Sequence, residues 1–126
     1  MNAMPKQPPA PAHRALAAIE LEASLRGLPG WKMTTAGGAP AIDKRWRLPD
    51  FAQAMALAQA IAELAERLNH HPDLHVGHGR LGVRWTTHDA GGVTALDLQA
   101  ARDTDALAAH LGADIGTQTD NPKPRP

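Results

Sequence analysis

Two pairs of strand-like runs, each pair closed by only a few residues, constrain this chain more than any other feature. In the first pair, residues 31–35 and 42–48 flank the segment AGGAP, whose glycines predict a flexible loop. In the second, an extended piece at 74–76 leads through a glycine turn at 77–79 into a strand at 81–87. There Leu81, Val83 and Trp85 alternate with Gly82, Arg84 and Thr86, the period of a sheet with one apolar face. A parallel crossover needs a dozen or more residues, so both pairs must be antiparallel hairpins.

Helical patterns surround these hairpins. Over 12–26 the residues Ala15, Leu16, Ile19, Ala23 and Leu25 recur at helical spacing, with Gly27 at the position of a C-cap. The best helix runs over 51–68 behind Asp50, a candidate N-cap; Phe51, Met55, Ala58, Ile61, Ala62, Ala65 and Leu68 share the face expected to meet the sheet, while Glu63, Glu66 and Arg67 stay wet. Pro72 stops that helix, because the residue before a proline is pushed out of helical geometry. A third helix, to about residue 111, follows the Gly91-Gly92 turn, and Thr94 with Asp97 three positions later has the spacing of a capping box. The order α-β-β-α-β-β-α implies a two-layer α+β fold: an antiparallel four-stranded sheet with helices packed on one face. Trp31, Trp46 and Trp85 read as core and sheet packing.

The expected organisation is one domain over 12–114 between proline-rich, polar tails at 1–11 and 115–126, read as disordered. Lys plus Arg and Asp plus Glu both number 13, so no overall field favours nucleic acid or an anionic membrane. The N-terminal residues contain no apolar run that reads as a signal peptide or membrane span, which points to a cytoplasmic address. With no cysteine, thiolate catalysis and sulfur-ligated zinc are excluded.

Against this ordinary scaffold stands an excess of histidine: five of the seven lie between His70 and His88. Imidazole exchanges protons near neutrality and also binds metals, and the residues alone leave both uses open. The motifs go further. Glu66-x3-His70-His71-Pro72, Thr86-Thr87-His88-Asp89 and Asp97 resemble the signature of the pterin-4a-carbinolamine dehydratases, and LPGW at 28–31, the Phe51-x3-Met55 helix start and TTHDAGG-x-T-x-L-D at 86–97 agree with it. The similarity covers roughly residues 15–110.

This resemblance implies an enzyme of tetrahydrobiopterin recycling that removes water from 4a-hydroxytetrahydropterin, giving the quinonoid dihydropterin, with no metal or organic cofactor. It places His70, His71 and His88 around the pterin, with His70 and His88 as the acid–base pair and His71 orienting the ring. Glu66, Pro72, Thr87 and Asp97 are the expected binding or orienting residues. Glu66, four positions before His70 on a continuing helix, would reach that imidazole and fix its tautomer. Asp97 would orient His88 or meet the polar edge of the pterin, and it also suits the third position of a helix as a cap. Family members associate as dimers or dimers of dimers. The family usually carries aromatics where Leu74 and His78 stand, so one wall of the pocket is expected to differ. His75 and His78 read as solvated strand or turn residues.

Two rivals keep the histidines but not the reaction. His71-x3-His75-x2-His78 could serve a metal-binding module, although Pro72 and the glycines break the register that would put the three rings together. A divergent member could retain the fold for protein assembly or for molybdenum-cofactor metabolism.

Overall fold

The structure is a computed structural model and describes residues 14–115. Of the tails expected at 1–11 and 115–126, residues 1–11 and 116–126 lie outside the described residues, whereas Ile115 is paired in the sheet. Helix α1 (Ala18–Leu25) leads to strands β1 (Lys32–Ala36) and β2 (Ala39–Arg47), helix α2 (Phe51–Leu68), strands β3 (Asp73–Gly77) and β4 (Arg80–Trp85), helix α3 (Ala95–His110) and a two-residue strand β5 (Asp114–Ile115).

The sheet is antiparallel in the order β1-β2-β4-β3, as the hairpin pattern requires. Beyond the four expected strands, β5 pairs with Trp46 and Arg47 of β2, past the stretch that β1 occupies. The AGGAP segment is tighter than expected. Gly37 and Gly38, at φ 58° and 85°, form a two-residue turn, and Ala39 already pairs with Ala36. Positive φ at both central residues matches the twist of a hairpin, and only glycine adopts it freely.

The helical layer covers one face of the sheet. Ile42, Lys44 and Trp46 of β2 and Leu81, Val83 and Trp85 of β4 are buried beneath it. The phase of α2 departs from the expectation: the buried stripe is Ala54, Leu57, Ala58, Ile61, Leu64 and Ala65, whereas Phe51 and Met55 are about half exposed. Alanines occur all round this helix, so apolarity alone left its phase ambiguous, and the branched side chains of Leu57, Ile61 and Leu64 set it. In α1 the buried residue is Leu21, while Ile19 points to solvent. All three tryptophans are core residues. Among the described residues no helix is long and apolar enough to cross a membrane.

One ion pair is set into this core. Lys44 is 6% exposed, its Nζ 2.7 Å from Asp105 Oδ1, and it lies 5.0 Å from the ring centre of Trp46 and 5.9 Å from that of Trp31. The indole N–H of Trp31 donates to the same carboxylate at 3.1 Å. The ammonium thus has both a counter-charge and aromatic faces.

Candidate active site

Asp50 caps the start of α2 by accepting from the Gln53 N–H. At its other end Asn69 adopts the left-handed conformation, φ 50°, the only non-glycine among the described residues to do so. Its backbone N–H still reaches Glu66 O, and the N–H of His70 reaches Ala65 O at 3.1 Å, which closes the helix as a left-handed C-cap does. The chain then turns, and two consecutive histidines enter different surroundings.

His70 turns inward. Its ring stacks on Trp85 with centroids 5.4 Å apart and planes at 21°, and its Nε2 lies 2.5 Å from Asp97 Oδ1. Asp97 is fully buried; its Oδ2 accepts from the Thr94 N–H at 2.9 Å, the Thr87 hydroxyl at 2.7 Å and the Thr94 hydroxyl at 3.3 Å. A carboxylate so surrounded by donors, at the positive end of α3, acts as an acceptor. Nε2 of His70 therefore carries the proton it shares with Asp97. In the neutral ring Nδ1 is then a bare lone pair, with no hydrogen-bond partner among the described residues.

His71 turns outward, its Nε2 2.5 Å from Glu66 Oε2, in a pair where both side chains are more than half exposed. Glu66 was expected at His70. The left-handed Asn69 breaks the helical periodicity on which that four-residue spacing depends, so Glu66 meets the next ring instead. Pro72 leads directly into β3.

Beyond β4, Thr87 and Gly92 form an isolated bridge closed by two backbone hydrogen bonds of 2.9 and 3.3 Å. The loop between them holds a short 3-10 turn, His88–Ala90, ending at Gly91 with φ 74°. His88 is exposed on this loop, one residue beyond the threonine that contacts Asp97. Asp97 was expected to orient His88 or to cap α3. It does cap, through a reciprocal box with Thr94, but the imidazole it touches is His70. Thr94 and Trp85 completed this cluster without having been singled out for it. The capping-box spacing was the one signal for Thr94, and no local pattern linked Trp85 to His70.

The remaining histidines stand apart. His75 lies between the inward-facing Leu74 and Val76, hence on the opposite face of the sheet, and is exposed. His78 sits in the β3–β4 turn, past the end of a strand that runs about 13 Å from Asp73 to Gly77 at ~3.3 Å per residue, so neither it nor His75 walls the cluster around His70 within this chain. Leu74 packs toward the core. Among the described residues, no three His, Asp or Glu side chains are grouped so as to hold a metal ion. Chemically, the cluster offers a buried, carboxylate-bound imidazole with one nitrogen open, and exposed imidazoles on a helix end and a neighbouring loop.

Residues 14–107 match the family model for pterin 4 alpha carbinolamine dehydratase. A relative from Gloeobacter violaceus, named provisionally as pterin-4-alpha-carbinolamine dehydratase 2, is 44% identical over 82 residues, covering 65% of this chain and 89% of the relative. The crystal structure of a transcriptional coactivator/pterin dehydratase from Brucella melitensis is similar at a TM-score of 0.68 and 35% identity, over 75% of this chain and 99% of that one. A pterin dehydratase-like protein described as a RuBisCO assembly factor in the alpha-carboxysome is similar at a TM-score of 0.53 and 25% identity, over 63% of this chain and 89% of that one.

Proposed function

The chain belongs to the pterin 4 alpha carbinolamine dehydratase family, and from that membership we propose that it dehydrates 4a-hydroxytetrahydrobiopterin, as a homodimer or homotetramer, in tetrahydrobiopterin recycling. The observation that carries this reading is the His70–Asp97 pair, which leaves Nδ1 of a positioned imidazole without a hydrogen-bond partner among the described residues.

The reaction needs two coordinated proton movements. A base removes the proton from N5 while an acid protonates the C4a hydroxyl; the C4a–O bond breaks, the N5 electron pair forms the C4a=N5 double bond, and water leaves. The substrate loses one water and no electrons are transferred. His70 and His88 serve as the pair and His71 binds the ring, with Pro72 and Thr87 shaping the site. Asp97 holds His70 in one tautomer and stabilises it while it carries charge, and Glu66 steadies His71. General acid–base groups of this kind contribute about 10² to 10⁴-fold.

The test is the dehydration of synthetic 4a-hydroxytetrahydropterin. His70→Ala and His88→Ala are each expected to lose at least about a hundredfold relative to wild type. Variants as fast as wild type would refute these roles. The likeness to a RuBisCO assembly factor favours a second reading, in which the fold serves protein assembly without turnover. Wild-type protein no faster than buffer would leave that reading in place.

A further inference from the structure

We propose that Trp85 and Thr104 are positioning residues that set the plane of the His70 imidazole, an inference that rests on the acid–base role given to His70 above. Asp97 holds that ring at one atom, and a single hydrogen bond leaves rotation about its own axis open. The indole of Trp85 removes this freedom by lying against the ring face at 5.4 Å and 21°.

Trp85 is itself held. It is fully buried, and its indole N–H donates to Thr104 Oγ1 at 3.2 Å. Thr104, also fully buried, donates its one hydroxyl proton to Ala100 O at 2.7 Å, so its lone pairs face the indole. An indole N–H can only donate and the hydroxyl has only one proton, so the polarity of this chain is fixed. It runs from the backbone of α3 through Thr104 and Trp85 to the face of His70. Since α3 also supplies Asp97, one helix holds the imidazole at an edge and at a face. A ring that becomes cationic on accepting a proton also gains from the electron-rich indole beside it.

The test joins turnover to the magnetic environment of His70. Protein labelled with ¹³C at histidine is prepared as wild type, Thr104→Val, Thr104→Ser and Trp85→Leu, with His70→Asn used to assign the carbon-bound ring protons of His70. Thr104→Val and Trp85→Leu are expected to displace the His70 signals and leave those of His75 and His78 in place. Thr104→Ser, which keeps the hydroxyl, is expected to restore them. In turnover, Thr104→Val is expected to lower kcat about tenfold with KM nearly constant, as a misoriented reacting group does. Thr104→Val is nearly isosteric and carries the test should Trp85→Leu fail to fold. Unmoved His70 signals in Thr104→Val, or displaced signals with unchanged kcat, overturn the proposal. A wild type without dehydratase activity overturns the acid–base reading alone, and the ring signals then decide whether Trp85 and Thr104 position His70.

Discussion

Two of the three acids on helix α3 lie eight residues apart, about two turns, and each meets a nitrogen from elsewhere in the fold with an indole alongside. Asp105 faces Lys44 between Trp31 and Trp46, while Asp97 faces His70 on Trp85. The parts are alike and the outcomes differ. At Asp105 the partner is a lysine ammonium, and the indole N–H of Trp31 adds to the same carboxylate, so the cluster joins the residue just before β1 to β2 and α3. At Asp97 the partner can gain and lose a proton, and the carboxylate's other oxygen is committed to Thr87 and Thr94. Chemistry becomes possible where the acid is saturated and its partner is not.

Substitutions can break this contrast. The largest expected effect separates the two clusters outright: His70→Ala loses at least about a hundredfold in dehydration rate while Lys44→Met keeps the wild-type rate. Equal losses would mean that the Lys44 cluster also serves the reaction. Asp97→Asn comes next, because an amide can present a donor to Nε2 and so favour the other tautomer. The expected loss is roughly ten- to a hundredfold, the scale of losing a group that orients a functional imidazole, and ¹⁵N spectra of the His70 ring should show the proton relocated to Nδ1.

For the Lys44 cluster the measurable is stability. Lys44→Met leaves Asp105 partly buried without its cation and is expected to cost about 2 kcal/mol in urea unfolding at unchanged slope. Adding Asp105→Asn, which removes the uncompensated charge and keeps an acceptor for Trp31, should recover part of it. A double variant no more stable than Lys44→Met alone would show that the charge pairing contributes nothing. The smallest effect is at the exposed Glu66–His71 pair: Glu66→Gln should change the rate by less than about fivefold, in keeping with the under ~1 kcal/mol typical of such pairs.

Much of this arrangement was legible in the chain, for definite physical reasons. Short hairpin connections dictated an antiparallel sheet, and the alternation of Leu81, Val83 and Trp85 identified its buried face. Thr94 and Asp97 announced the start of α3 by spacing. The partner of Asp97 was hidden, because His70 is 27 residues away and helical spacing pointed Glu66 at it instead. That spacing holds only while the helix continues, and a left-handed asparagine has no apolar pattern to reveal it. The Lys44–Asp105 pair, 61 residues apart, left no local trace. The phase of α2 failed for the opposite reason, since too many alanines fitted more than one face.

The left-handed turn at Asn69 has one more consequence. It sorts two chemically identical neighbours into an inner and an outer ring by position alone, so the length of this junction matters as much as its composition. Adding one histidine between Asn69 and His70 would preserve every motif residue, yet the newcomer would inherit the inner place and push the original His70 outward. Deletions and insertions here act as frame errors in space, and a chain that drifts in length at this joint loses its address for each ring before it loses either histidine.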